Sequence, residues 1–234
     1  MQRYSIVFLD ADETLFDFHA AERRALSQVM EEFHLPVTES NIAYYIDTNR
    51  SLWRQFDLGE ITQEALGRER FARLLAHLGG QVEKGAEMNG AYETALGQYG
   101  LLLPGAEELC RRLASRCALY LLTNGMTRSQ TGRLEKSSIK GYIRRMFISQ
   151  AMGCQKPQRA FFDQVFSALG IGPAEKKRVV MVGDSLRSDI QGGVNAGIDT
   201  IWFHPWGDEP PAPLRPTWEA RSLEQVGDII LGEA

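Results

Sequence analysis

No run of eighteen or more apolar residues occurs in the sequence, so no segment reads as a membrane-spanning helix. Only three cysteines are present, Cys110, Cys117 and Cys154, and their spacing fits neither a metal site nor a redox pair. A sparse, odd set suits small buried hydrophobes with free thiols, and a reducing cytoplasm is the expected compartment. The N-terminus lacks the basic stretch and long apolar core of a signal peptide: Tyr4 to Leu9 is short and runs directly into Asp10. A basic excess is missing too, since 26 Lys and Arg against 30 Asp and Glu give a formal net charge of −4. Binding of a nucleic-acid polymer favours a clustered basic surface and is not expected. A small anion needs only local positive charge. Internal repeats and low-complexity tracts are also lacking. What remains is ample for folding: 234 residues, 44% of them apolar, suit one well-cored domain or a core with a modest insertion. The sequence does not specify an oligomeric state.

Five short apolar runs read as buried strands: Ile6–Leu9, Ala118–Leu122, Met146–Ile148, Val179–Val182 and Thr200–Phe203. Helix-like segments lie between the later ones, including Phe161, Phe162, Val165, Phe166 and Leu169 at helical spacing. Strands alternating with helices predict an α/β fold, a parallel sheet covered on both faces. About a hundred residues separate the first strand from the second, and this interval reads as helical. Ala21, Ala25, Val29 and Met30 share a face, and so do Ile42, Tyr45, Ile46, Asn49, Trp53 and Phe56. A third stretch follows Thr62, a candidate N-cap, and ends at Gly79-Gly80; a fourth, weaker one runs from Ala86 to Tyr99. The pattern predicts an all-helical insertion of about four helices over residues 17–96. The core is then formed by residues 1–16 and 97–234. Five of the nine prolines crowd into Pro205–Pro216, predicting a surface loop before a last helix around Leu223–Leu231.

Four polar segments follow predicted strands, where ligands bind in open parallel sheets. Asp10-Ala11-Asp12-Glu13-Thr14 places two carboxylates on one side of an extended chain. They repel unless a cation lies between them or one holds a proton, which suits a nucleophile paired with an acid/base. The same Asp-x-Asp, taken alone, also suits a turn or an N-cap. Thr123-Asn124-Gly125 offers a hydroxyl, an amide and a flexible backbone for an anion, and equally a plain turn. Lys156 stands before Pro157, which restrains it to extended geometry. Gly183-Asp184-Ser185-Leu186-Arg187-Ser188-Asp189 supplies hard oxygen ligands for Mg²⁺, or the cap of the next helix.

In this order, each after a strand, the four segments resemble the motifs of the haloacid dehalogenase-like (HAD) hydrolase superfamily. The resemblance spans nearly the whole chain and implies a doubly wound, Rossmann-like parallel sheet with an inserted helical cap. It implies that Asp10 is the nucleophile of a phosphatase and forms an aspartyl-phosphate. It further implies that Asp12 protonates the leaving oxygen and then activates water. Mg²⁺ is expected on the Asp10 carboxylate, the Asp12 carbonyl and Asp184, with Asp189 in support. Thr123 and Asn124 are expected to hold phosphoryl oxygens, and Lys156 to neutralise charge between nucleophile and substrate. Glu13 stands where glycine is commoner in the family. It resembles a subset that includes bacterial pyrimidine 5′-nucleotidases, as do Phe16-Asp17-Phe18 and Leu52-Trp53. Gln150 and Gln155 depart from the usual surroundings of the third motif.

The expected substrate is therefore a small phosphate monoester, a nucleoside 5′-monophosphate first, with sugar phosphates or phosphoglycolate as the alternative. A haloacid dehalogenase needs neither the acid at position 12 nor the turn at 184–189. A phosphomutase needs an intermediate protected from water. A non-catalytic binding protein has no need of the intact acid and lysine set. The crossings near Phe16–Phe18 and Gly97–Pro104 read as hinges for a moving cap.

Overall fold

The computed structural model describes residues 2–205 and 214–233. Among these residues six parallel strands form one sheet: β1 (Ile6–Leu9), β2 (Ala118–Thr123), β3 (Ile143–Ile148), β4 (Val179–Gly183), β5 (Asp199–Phe203) and β6 (Trp218–Ala220). Their order is β3-β2-β1-β4-β5-β6, so the first strand lies in the middle and the chain winds outward in both directions. This is the parallel sheet expected from the alternating pattern, wound in both directions as the family resemblance implies.

Side-chain alternation along the strands divides the core. Val7 and Leu9 of β1, with Leu119, Leu121, Val180 and Val182, face α5 (Ala106–Ala114) and α8 (Leu223–Leu231). Phe8, Leu122 and Met181 point the other way, onto Phe161, Phe162, Val165 and Phe166 of α7 (Arg159–Leu169). Two strands differ from expectation. β3 begins at Ile143 rather than Met146; it is an edge strand, and its exposed Arg144 and Arg145 hide the apolar pattern. β6 is three residues long and carries Glu219 at its centre, too short to show a period. The loop expected over Pro205–Pro216 lies for the most part outside the described residues.

Between β1 and β2 the chain forms α1 (Phe18–Glu32), α2 (Glu39–Asp57), α3 (Gln63–His77) and α4 (Gly85–Leu96). Each of the first three starts at a side-chain cap. Asp17 accepts from the Ala20 N–H at 2.9 Å, Thr38 from Asn41 at 3.3 Å and Thr62 from Ala65 at 3.1 Å. The four helices bury their own cluster, with Ala25, Val29, Tyr45, Phe71, Leu74 and Tyr92 at its centre. On α2 the buried face passes through Leu52, while Trp53 is half-buried. A smaller cluster joins this layer to the sheet: Leu52, Phe56 and Leu66 pack on Met126, which follows β2. The helices thus cover the ends of the strands from which the polar segments emerge.

Candidate active site

Each predicted site residue lies at or beyond the carboxyl end of a strand, and four of them converge on one buried point. Asp10 leaves the end of β1, its amide held by the Val182 carbonyl at 2.9 Å. Its Oδ1 accepts from Lys156 Nζ at 2.6 Å. The same ammonium donates to Asp189 Oδ1 at 2.7 Å and to the Leu122 carbonyl at 2.6 Å. All three protons of Lys156 are therefore placed, and the residue is only 1% exposed. Asp189 reaches this point because position 183 is glycine: a Cβ there would lie 2.2 Å from the Asp189 carboxyl carbon. Its second oxygen accepts from the Ser185 N–H at 3.1 Å, so both its oxygens are engaged.

Thr14, a site residue whose part the sequence does not reveal, ties the first segment to the last. Its hydroxyl lies 3.4 Å from both Asp10 Oδ2 and Asp184 Oδ1, and it accepts from the Asp184 N–H at 3.1 Å. The Trp202 indole donates to the Asp184 carbonyl at 2.8 Å and secures the same turn. Asn124 takes a different position from a free anion donor. Its amide donates to the Lys156 carbonyl and accepts from the Lys156 N–H, both at 2.9 Å, so it anchors the lysine backbone. Thr123 Oγ1 accepts from the Gly125 N–H at 3.0 Å, leaving its own proton free to donate. Glu13 adopts φ +58°, the left-handed region that favours glycine. Its carboxylate accepts from the His19 N–H at 3.1 Å, near the start of α1.

Asp12 lies slightly apart. Its two oxygens meet α6 (Thr127–Glu135): Gln130 Nε2 donates to Oδ2 at 2.7 Å, and Arg133 Nη1 is in direct contact with Oδ1. Neither α6 residue is foreseeable from sequence. They belong to a weakly patterned polar helix, and only the fold turns them inward.

The charges of the site do not balance. The Asp10, Asp184 and Asp189 carboxylates lie within 4.8 Å of one another, against one ammonium. Burial pushes the Asp10 carboxyl up to about 7, against the pull of Lys156 and with the push of Asp189. Burial and the neighbouring Asp10 likewise hold Asp184 well above the usual carboxylate range. For Lys156, burial opposes the charge, but Asp10 and Asp189 outweigh it and keep the ammonium protonated. With Asp189 engaged by Lys156 and Ser185, Asp10 and Asp184 are the carboxylates left to meet a cation. A hard oxygen donor set with excess negative charge fits Mg²⁺.

The helical layer reaches the site through Gln63 of α3, whose amide donates to the carbonyls of Asn124 and Gly125 at 2.8 and 3.2 Å. Beside it a cleft of about 510 Å³ opens between the layers, lined by Phe56, Ile61, Gln63, Gln150, Gln155 and Gln158. Among the described residues, no helix is long and apolar enough to cross a membrane.

Comparison with known proteins agrees with this geometry. The sequence is 38% identical over 228 residues to the pyrimidine 5′-nucleotidase PynA of Streptococcus pneumoniae, covering 97% of this chain and 95% of that one. It is 32% identical over 228 residues to the pyrimidine 5′-nucleotidase YjjG of Escherichia coli, covering 97% and 98%. The solved structure of the HAD-hydrolase YfnB of Bacillus subtilis, bound to magnesium and described as revealing interdomain movement, superposes with a TM-score of 0.89. That pair is 34% identical over 98% of this chain and 99% of the other. The family description haloacid dehalogenase-like hydrolase matches residues 4–197, which include every polar segment described above. With the sheet order, the converging strand ends and these relatives in agreement, the chain belongs to the haloacid dehalogenase-like hydrolase family.

Proposed function

We propose that this enzyme is a Mg²⁺-dependent phosphatase that acts through an aspartyl-phosphate on nucleoside 5′-monophosphates, pyrimidine nucleotides first. The observation that carries the reading is the buried Asp10 carboxylate, clasped by Lys156 at 2.6 Å beside an excess of negative charge. An Asp10 oxygen attacks phosphorus, and the ester P–O bond breaks as Asp12 gives its proton to the leaving oxygen. Asp12 then takes a proton from water. The water oxygen bonds to phosphorus, inorganic phosphate leaves and the Asp10 carboxylate is restored. Mg²⁺ would be held by the Asp10 carboxylate, the Asp12 carbonyl and Asp184, and when bound it screens phosphoryl charge. Lys156 carries the positive charge beside the nucleophile, and the free Thr123 proton and the Asn124 backbone serve a phosphoryl oxygen.

The relatives PynA and YjjG support the nucleotide reading. So does the cleft beside Gln63, whose four glutamines offer amide donors and acceptors that match the amide edge of a pyrimidine, with Glu64 as its charged lining residue. In this reading residues 17–96 act as a cap that closes over the site, with 1–16 and 97–234 as the catalytic core. In the same reading the enzyme works in the cytoplasm, the compartment that its sparse free thiols suit.

A panel of nucleoside monophosphates, sugar phosphates and phosphoglycolate, assayed with and without Mg²⁺, tests the reading. Preference for pyrimidine nucleotides and loss of release in excess chelator are expected. A clear preference for a sugar phosphate sinks the nucleotidase assignment, and full activity in chelator sinks the metal. Metal binding has its own readout. Saturation to 100 times Kd contributes about 2.7 kcal/mol to stability. For a chain of this size that raises Tm by about 5–10 °C. Asp184→Asn should abolish this Mg²⁺-dependent shift in a calorimetric scan while the protein remains folded.

A further inference from the structure

Asp12 is held in a way that its acid/base role alone does not require. Its side chain is 30% exposed, and a carboxylate at such an edge ordinarily samples several rotamers. Here each oxygen has its own donor, Gln130 on one and Arg133 on the other, both from α6 and three residues apart, on one face of the helix. Both donors are buried, Gln130 at 2% and Arg133 at 0% exposure.

The arginine is unusual in how little else it does. Its Nε and Nη2 have no hydrogen-bond partner among the described residues, and its ion pair is with Asp12. Burying a guanidinium is costly, and an arginine retained for stability is expected to engage its whole fork. The Arg133 guanidinium instead lies over aromatic rings at the first crossing, 4.7 Å from the Phe16 centroid and 5.7 Å from that of Phe18. Its backbone is pressed against the second crossing, since a Cβ on Gly100 would lie 2.6 Å from the Arg133 carbonyl oxygen. Gln130 is equally confined: a Cβ on Gly125 would lie 2.3 Å from its amide nitrogen. Both donors are thus fixed by packing before they meet Asp12.

We propose that Gln130 and Arg133 are positioning residues that hold the Asp12 carboxylate aimed at the leaving oxygen, within a seat built from both crossings. The inference rests on the phosphatase reading above. Acid/base catalysis requires hydrogen-bond reach at the moment of bond cleavage, and misplacing the group by about 1 Å is enough to lose most of its effect. The pair acts only through Asp12, so in kcat/KM, which reads the steps up to loss of the leaving group, its contribution should follow the need for a proton there; the water step, common to all substrates, enters kcat alone.

Two substrates separate that need. The 5′-alkoxide of a nucleoside monophosphate must be protonated as it leaves, whereas p-nitrophenolate leaves as a stable anion. In Gln130→Met and Arg133→Met, kcat/KM for the nucleotide should fall by about 10–10²-fold, mainly in kcat. For p-nitrophenyl phosphate it should stay within about threefold, a selectivity that general loosening of the site does not produce. Equal loss on both substrates in folded protein overturns the proposal, and so does no loss on either. Should Arg133→Met fail to fold, Gln130→Met decides alone, because it strands no buried charge. Release of phosphate from neither substrate by the unaltered enzyme overturns the phosphatase reading and this inference with it.

Discussion

In Asp10→Asn, phosphate release from a nucleoside 5′-monophosphate should fall by at least about 10³-fold while the protein keeps its fold. Removal of a covalent nucleophile is among the most damaging single changes an active site can suffer, because every later step depends on the bond that it forms. The amide is nearly isosteric and still offers an oxygen to the Lys156 ammonium, now 2.6 Å away. It lacks the negative charge that attacks phosphorus. Stability should change little in the metal-free protein. The substitution weakens one ion pair, but it also removes a carboxylate that burial has pushed up to about 7 and that lies against Asp184 and Asp189. Acid quenching during turnover provides the second measurement. The unaltered enzyme should carry one phosphoryl group by mass spectrometry, and the variant none. Full activity in Asp10→Asn would show that the nucleophile lies elsewhere.

The same residue illustrates what sequence can convey. Asp10 and Asp12 were visible because they end a short apolar strand. Thr123 and Asp184 do the same on strands whose neighbours in the sheet follow from alternation of strand and helix. The four inserted helices were visible through the cap at Thr62 and through apolar faces such as Ala25, Val29 and Met30, whereas the caps at Asp17 and Thr38 emerge only with the fold. What stayed hidden depends on contacts between distant segments. Thr14 looks like any threonine after a turn until the fold brings Asp184 to its hydroxyl, 170 positions away. Arg133 and Gln130 look like solvated helix residues, and only the packing of α6 against Phe16 and Gly100 turns them toward Asp12. The family resemblance implies a phosphoryl oxygen at Asn124, but it does not convey that the side-chain amide grips the Lys156 backbone and leaves only the Asn124 backbone for that task. Periodicity reports which face of an element is buried; it carries no information on which polar group from another element will meet it.

Lys156→Met should damage stability and activity together, and a second substitution should separate the two. The lysine ammonium is 1% exposed and donates to Asp10, Asp189 and the Leu122 carbonyl. Deleting it leaves two buried carboxylates without their cation, a change of about 3–5 kcal/mol where one partner of a buried pair is removed. For a chain of this size that lowers Tm by roughly 10 °C. Activity should fall by about 10²–10³-fold, because a charge preorganised beside the reacting phosphoryl group is gone. Arginine is a poor replacement, since its planar fork does not reproduce three donors arranged around one nitrogen. In the double variant Lys156→Met with Asp189→Asn, the uncompensated charge at Asp189 disappears and part of the lost Tm should return. The rate should not return, because neutralising Asp189 restores no positive charge near Asp10. Thermal scans and phosphate release on the wild type, both single variants and the double variant form the required cycle. Recovery of the rate along with the stability would mean that Lys156 serves only to balance Asp189. Recovery of stability alone assigns the ammonium a part in the chemistry beyond holding the site together.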